Sequence, residues 1–411
     1  MRRERFSSLL RQFLTILALT STLVAATRAK PKFKILATFP DGGLWSGLTL
    51  DAKGNLYGAT TGGGDKGVGS IFEMTRNAKG QWAVTTLHSF DGKDGARPNG
   101  DLILDAAGNL YGTTPAGGAY YDGGTVFELT PSSGGWTFSL LYSFCHEYDC
   151  PDGGGPQDGL VQDNDGNLLG TALAGLYDMG VVFELSPGPQ GWTYSVRYNF
   201  GTVLQDGSKP FDTPVLDAKG NVYGTTYRGG RGGFGTVFRL NSTETNVWNE
   251  RMLYQFCLGG GSCPDGAEPT AGVVLVGSSS IYGTTAQGGS ATCGETNCGT
   301  IFKLTRSRSG WRESVLHNFG NSGDGSGPVS GLVRGGDGTF YGTTAIGGIG
   351  SCNGGCGVVY KLAPYPGGQS KYTVLHRFNG VDGLLPEGRL IFDSEGNLYG
   401  TAFTTVFEVT P

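Results

Sequence analysis

Residues 105–130 read Asp-Ala-Ala-Gly-Asn-Leu-Tyr-Gly-Thr-Thr-Pro-Ala-Gly-Gly-Ala-Tyr-Tyr-Asp-Gly-Gly-Thr-Val-Phe-Glu-Leu-Thr. Their centre, Gly-Asn-Leu-Tyr-Gly-Thr-Thr, returns in seven versions. These run through Tyr57, Tyr111, Leu169, Tyr223, Tyr282, Tyr341 and Tyr399, at intervals of 54–59 residues. Self-similarity at a fixed period of this order marks a solenoid or a propeller. The repeat occupies the chain from about residue 32 to the end, so it outweighs a length prior of two or three domains.

Working outward from the phrase, one repeat supplies four strands. Asp101 to Asp105 is a short apolar run, strand a; Asn109 to Thr114 is strand b; Thr125 to Thr130 is strand c. Pro131 to Gly135 is expected to turn the chain into strand d, Trp136 to Phe144. No part shows a helical period, and short strands with closely spaced turn signals indicate an all-β assembly. Strand d alternates most clearly: Trp192, Tyr194, Val196, Tyr198 and Phe200 are expected on one face. Trp82, Trp136, Trp192, Trp248 and Trp311 each precede a phenylalanine by eight residues. Burying one such aromatic contributes roughly 4–6 kcal/mol at most, so these residues read as core. Small residues on strand b and bulky ones on strand d suit wedge-shaped sheets in a ring.

The chain ends set the count. Lys32 to Phe39 is a strand d with no a, b or c before it, and Thr404 to Thr410 is a strand c with no d after it. The first completes the last. The expectation is a seven-bladed β-propeller of four-stranded blades, residues 30–411, closed by its N-terminal strand.

Residues 1–29 read as a secretory signal peptide: Arg2, Arg3, Arg5 and Arg11, then an apolar Phe13 to Ala26, then small residues. An uncleaved N-terminal anchor is the alternative. Once the signal is removed no membrane span is expected, and the location is exported, periplasmic or extracellular. The segment holds five Arg and one Glu, so its removal takes the net charge from −5 to −9. That balance argues against nucleic acid or anionic lipid as a partner. The 75 glycines lack a Gly-X-Y period and recur at fixed repeat positions, which is turn chemistry.

Eight cysteines form four close pairs: Cys145/Cys150, Cys257/Cys263, Cys293/Cys298 and Cys352/Cys356. Four local disulfides are expected in an exported chain, each contributing about 2 kcal/mol. Zinc is the rival reading, but Cys-x2-Cys spacing is absent. No metal and no cofactor are assigned.

The b–c and d–a loops share one face and carry the cysteines. Six d–a loops hold Asp-Gly-x-x-Pro, beginning at Asp94, Asp152, Asp206, Asp265, Asp324 and Asp382. Such a carboxylate ring is a candidate for calcium or for glycoside chemistry. The simpler reading is a turn in which Asp bonds its own backbone two residues on. His88, His317 and His376 alternate with Tyr142, Tyr198 and Tyr254 two residues before the strand d phenylalanine, so they read as interchangeable structural positions. His146 is unique and expected to be exposed. No Ser-His-Asp set or histidine metal cluster is present. Recognition is assigned to loop residues that break the repeat: Trp45, Tyr120, Tyr121, Tyr177, Met179, Arg228, Arg231 and Phe234. Aromatic and Arg side chains there suit a glycan or a protein ligand. We expect a monomer that binds such a ligand; the alternative is a carbohydrate-active enzyme, a glycoside hydrolase or lyase, using carboxylates of the same face.

The full phrase, best kept in residues 51–75, 105–130 and 217–240, resembles the bacterial GloVer tandem-repeat family. The resemblance implies an exported propeller-type repeat protein and no particular activity. The chain departs from the phrase at Leu169, at the missing Asp-x-x-Gly-Asn turn of the fifth repeat and at the missing Gly-Gly loop of the seventh. A weaker similarity to kelch repeats carries no oxidase chemistry over. The C-terminal anchor common in the family is not expected, since the chain stops after strand c at Pro411.

Overall fold

The computed structural model describes residues 30–242, 248–259, 261–290, 298–320, 323–348, 350, 352, 354–365 and 369–411. Residues 1–29, expected to be a signal peptide, and Cys293 lie outside the described residues. The chain divides into two units, Met1–Pro31 and Lys32–Pro411, and every strand belongs to the second. No helix occurs among the described residues.

Seven four-stranded antiparallel sheets form a seven-bladed β-propeller. In blade 2, strand a is Ile103–Leu104, b is Leu110–Thr114, c is Thr125–Ser132 and d is Gly135–Ser143. Strand a is shorter than expected, two residues here, because the chain before it is held by contacts to other blades instead of a ladder. Pro131 is not in a turn: it pairs with Trp136, and only Ser133 and Gly134 cross between the strands.

Each element of the repeated phrase has a local cause. Asp105 Oδ1 accepts hydrogen bonds from the Ala107 and Asn109 amides, both 2.8 Å, and Oδ2 accepts one from Asn109 Nδ2 at 2.9 Å. The Tyr111 hydroxyl lies 3.2 Å from Asp105 Oδ2 and 3.0 Å from Glu128 Oε1. Burial and the Glu128 charge raise its pKa, so it remains a donor. Gly112 is required because a Cβ would stand 2.6 Å from Phe127, whose ring covers strand b. The same holds for Gly58, Gly170, Gly224, Gly283 and Gly400 beneath Phe72, Phe183, Phe238, Phe302 and Phe407. The first threonine stitches blades together: Thr171 Oγ1 donates to the Asp212 carbonyl of blade 4 at 2.8 Å, and Thr225 to the Ala271 carbonyl of blade 5 at 3.2 Å. The second threonine bonds within its blade, as Thr114 does to Thr125 Oγ1 at 2.8 Å.

The expectation for strand d needs correction. A β-bulge separates the partners of Val182 and Phe183, leaving Arg197 extra between Val196 and Tyr198. One inserted residue exchanges the faces of everything beyond it. Trp192, Tyr194 and Val196 therefore pack toward blade 2, with Phe144 and Phe183, while Tyr198 packs toward blade 4, with Phe200 and Phe238. One strand thus serves two blade interfaces. The same bulge recurs in blades 1, 2, 4, 5 and 6.

The N-terminal strand, Lys32–Thr38, pairs with Thr405–Thr410 and closes blade 7. It carries the same bulge, between Ile35 and Ala37. Phe33 stacks on His376 of blade 6 at 3.6 Å, and Trp82 of blade 1 meets Tyr399 of blade 7 edge-on at 6.5 Å. Disulfides join Cys145 to Cys150, Cys257 to Cys263 and Cys352 to Cys356. Cys298 is also disulfide-bonded.

Candidate functional site: the channel mouth

The Asp-Gly-x-x-Pro aspartates do not bond their own backbone two residues on. Each reaches back to the His or Tyr that ends strand d of its blade. Asp94 meets His88 at 2.8 Å, Asp152 meets Tyr142 at 2.7 Å, and Asp206 meets Tyr198 at 2.8 Å. Asp265 meets Tyr254 at 2.8 Å, Asp324 meets His317 at 3.2 Å, and Asp382 meets His376 at 3.0 Å. Most also accept a backbone amide just after the strand d phenylalanine, such as Gly201 for Asp206 at 2.8 Å. The rings so held stack on the following blade: His88 on Phe138 at 4.0 Å and Tyr142 on Tyr194 at 3.8 Å. In five of the six loops the Asp and its His or Tyr are thus hydrogen-bonded to one another, while His317 Nε2 lies 3.2 Å from Asp324 outside hydrogen-bond geometry. Among the described residues no group of three or more His, Cys, Asp or Glu could hold a metal ion.

The site lies one step further along. After the proline of six d–a loops, and after Leu44 in the first, the chain enters the central channel, and the next residue differs in every blade. The seven are Trp45, Asn99, Gln157, Phe211, Thr270, Val329 and Glu387, and all line one cavity of about 940 Å³. Tyr227, from the b–c loop of blade 4, also lines it, which puts the opening on the elaborated face. A cavity this size, part apolar with a few polar groups, suits a small ligand.

Two residues on, the wall holds mostly Gly47, Gly159, Gly272 and Gly331, where neighbouring blades nearly touch. A Cβ on Gly47 would meet the Arg389 carbonyl at 2.6 Å. Blade 4 has Thr213 there, and blades 2 and 7 break the ring with Asp101 and Arg389, which form an ion pair at 3.1 Å; Asp101 Oδ1 also accepts the Gly47 amide at 2.6 Å. One position earlier, blades 3 and 4 carry Asp158 and Asp212. Asp158 accepts the Gly159 amide at 2.7 Å and the Thr213 amide at 3.1 Å. Burial, then the Asp101 charge, push its carboxyl up to about 6. Burial pushes Glu387 up to about 7. Asp212 is wholly buried, and burial, then the Asp158 charge, raise it well above the carboxylate range.

Of the residues singled out from sequence, only Trp45 lines this cavity, its ring edge-on to Phe403 at 5.2 Å. Arg228 sits beside it. Its guanidinium pairs with Glu268 at 2.5 Å and lies 4.5 Å above the Tyr227 ring. The others form an outer rim. Tyr120 packs 4.4 Å from the His146 imidazole, and Tyr121 meets Tyr148 edge-on at 6.2 Å. His146 is half-exposed and contacts Asp152 at 3.1 Å. Tyr177, Met179 and Arg231 are exposed, whereas Phe234 packs on Cys257, Cys263 and Ala267. Asp101, Asp158, Asp212, Glu387 and Arg389 were not singled out. Aligning the repeats on the tyrosine exposes them as charged residues in columns that are otherwise small or neutral.

The comparisons agree with the repeat. The profile of the Gloeobacter/Verrucomicrobia repeat matches residues 20–175, 124–292 and 158–407. The chain belongs to this family. No curated relative matches this family member. Its fold is similar to that of a streptogramin B lyase, with a TM-score of 0.56 at 12% identity, covering 92% of this chain and 97% of the lyase. It is similar to PorZ, a surface component of the type-IX secretion system of Porphyromonas gingivalis, with a TM-score of 0.54 at 16% identity, over 89% of this chain and 46% of PorZ. It is also similar to an ancestral GH74 enzyme, with a TM-score of 0.54 at 12% identity, over 89% of this chain and 48% of that one. At these identities the likeness is one of fold.

Proposed function

We propose that this repeat propeller is an exported recognition module that binds a glycan at the mouth of its channel. One observation carries the reading: in a ring built from one repeated phrase, the seven residues at the mouth all differ. Copies serve the ring, so departures from the copy are where a ligand can be recognised. Trp45 offers a flat face for a sugar ring, while Asn99, Gln157, Asp158 and Glu387 offer donors and acceptors for hydroxyls. The rim residues Tyr120, Tyr121, Tyr177 and Arg231 extend this surface for a longer chain. The three disulfides support an oxidising compartment, in keeping with export.

Titration calorimetry against cell-wall and plant oligosaccharides tests this. We expect at least one ligand, weakened about tenfold or more by Trp45→Ala and by Gln157→Ala. No ligand, or a ligand indifferent to both substitutions, overturns the reading. A second reading rests on Asp158 and Glu387, two carboxylates of one cavity raised toward neutrality: an acid/base pair for glycan cleavage. It requires release of sugar from a bound polymer, abolished by Asp158→Asn and by Glu387→Gln.

A further inference from the structure

The channel mouth holds more negative charge than its own cations answer. Arg389 is the one cationic side chain lining the cavity among the described residues, and it is committed to Asp101 at 3.1 Å. Asp158 and Glu387 also line the cavity, on blades 3 and 7. Asp158 accepts the backbone amides of Asp101, Gly159 and Thr213, and the Arg389 charge, already paired with Asp101, only partly offsets its burial and the Asp101 charge. Behind the wall, Asp212 is wholly buried, and its Oδ1 has no hydrogen-bond partner among the described residues. Thr213 Oγ1 and Asn99 Oδ1, on two residues that line the cavity, are likewise unpartnered. Trp45, Phe211 and Tyr227 complete the lining with aromatic surface.

Carboxylates without a counter-cation are costly in an enclosed space, and aromatic faces attract positive charge. A structural role accounts for Asp101, which ties blades 7, 1 and 2 together. It does not account for Glu387, which has no partner in another blade among the described residues.

We infer that the ligand of the channel mouth is a glycan bearing free amino groups, held with one ammonium against Asp158, another against Glu387, and its apolar ring face on Trp45. The inference rests on the channel-mouth reading above and adds the ligand's charge. A free ammonium gives three donors and the missing positive charge; an N-acetylated sugar of the same shape gives neither.

The test compares three probes on the full chain by calorimetry: a glucosamine oligosaccharide, its N-acetylated counterpart and spermidine. The glucosamine form should bind about tenfold or more tightly over the acetylated form. Asp158→Asn and Glu387→Gln should each reduce that preference to about threefold or less, with unchanged thermal melting as the check that the variants fold. Equal or tighter binding of the acetylated form overturns the charge inference and leaves the glycan reading standing. Spermidine binding as tightly as the amino sugar upholds the charge and overturns the glycan. Binding of none of the three at millimolar concentration overturns the amino-sugar inference, and the glycan reading then stands or falls on the wider oligosaccharide screen. The probe comparison on the unmodified protein stands even if a variant fails to fold.

Discussion

Tyr360 occupies in blade 6 the place held by phenylalanine in the other six blades. It is wholly buried, its ring lies over Gly342, and its hydroxyl has no hydrogen-bond partner among the described residues. Burial raises its pKa, so the group is a neutral hydroxyl that has given up water without replacement. Leaving a buried polar group unmade costs on the order of 1–3 kcal/mol. Tyr360→Phe should therefore stabilise the protein by about 1 kcal/mol in denaturant unfolding, against the usual direction for a core change. A loss of stability would show that the hydroxyl is bonded after all. Residues of this kind are legible in the sequence only as departures from a column. That Tyr360 departs is visible there; that its oxygen is stranded depends on how its neighbours pack.

Strand d shows what an element's pattern hides. Alternation over Trp192 to Phe200 reads as one continuous face, yet the bulge at Arg197 divides the strand between two interfaces. Nothing in the alternation marks an inserted residue, because the spacing is unchanged and only the pairing partner shifts. The N-terminal strand repeats this construction, which identifies it as the missing strand d by geometry as well as by sequence. Phe33 is its anchor, stacked on His376 and edge-on to Phe378 at 5.7 Å. Phe33→Ala should cost about 3 kcal/mol by loss of buried ring and residual cavity. Chemical denaturation with proteolysis at the N-terminus measures it. Unaltered stability would mean that closure does not depend on this strand.

Across the whole molecule the seven blade interfaces are not equivalent. Where blade 2 has Phe138, blade 3 Tyr194 and blade 6 Tyr372 for a neighbouring ring to stack on, blades 4 and 5 have Glu250 and Glu313. Burial, then the charges of Asp206 and Asp265 respectively, push these two carboxyls up to about 7. Their Oε1 atoms are unpartnered among the described residues. A carboxyl raised in the folded state stabilises below its unfolded pKa and loses that contribution as pH rises through the folded value. The propeller should thus lose stability between about pH 5 and about pH 8, with the seams on either side of blade 4 weakened. Thermal melting of the parent and of the Glu250→Gln, Glu313→Gln double variant at both pH values measures this. The double variant should show a smaller drop; an identical drop would assign it elsewhere.

The sequence by itself determined the number of blades, their four strands, closure by the first strand and three of the disulfides. Each follows from a period, an alternation or a short loop, all of which act between residues near in the chain. Only the tertiary structure decided where a ligand has to be sought. Asp101, Asp158, Glu387 and Arg389 belong to three different blades, and it is the closing of the ring around one axis that brings them to a common mouth, with Asp212 of a fourth blade behind its wall. The Asp-Gly-x-x-Pro series, conspicuous in the sequence, is engaged locally because each aspartate faces the His or Tyr of the strand before it. Local spacing fixed the copies; the exceptions acquired a shared cavity only when the ring closed.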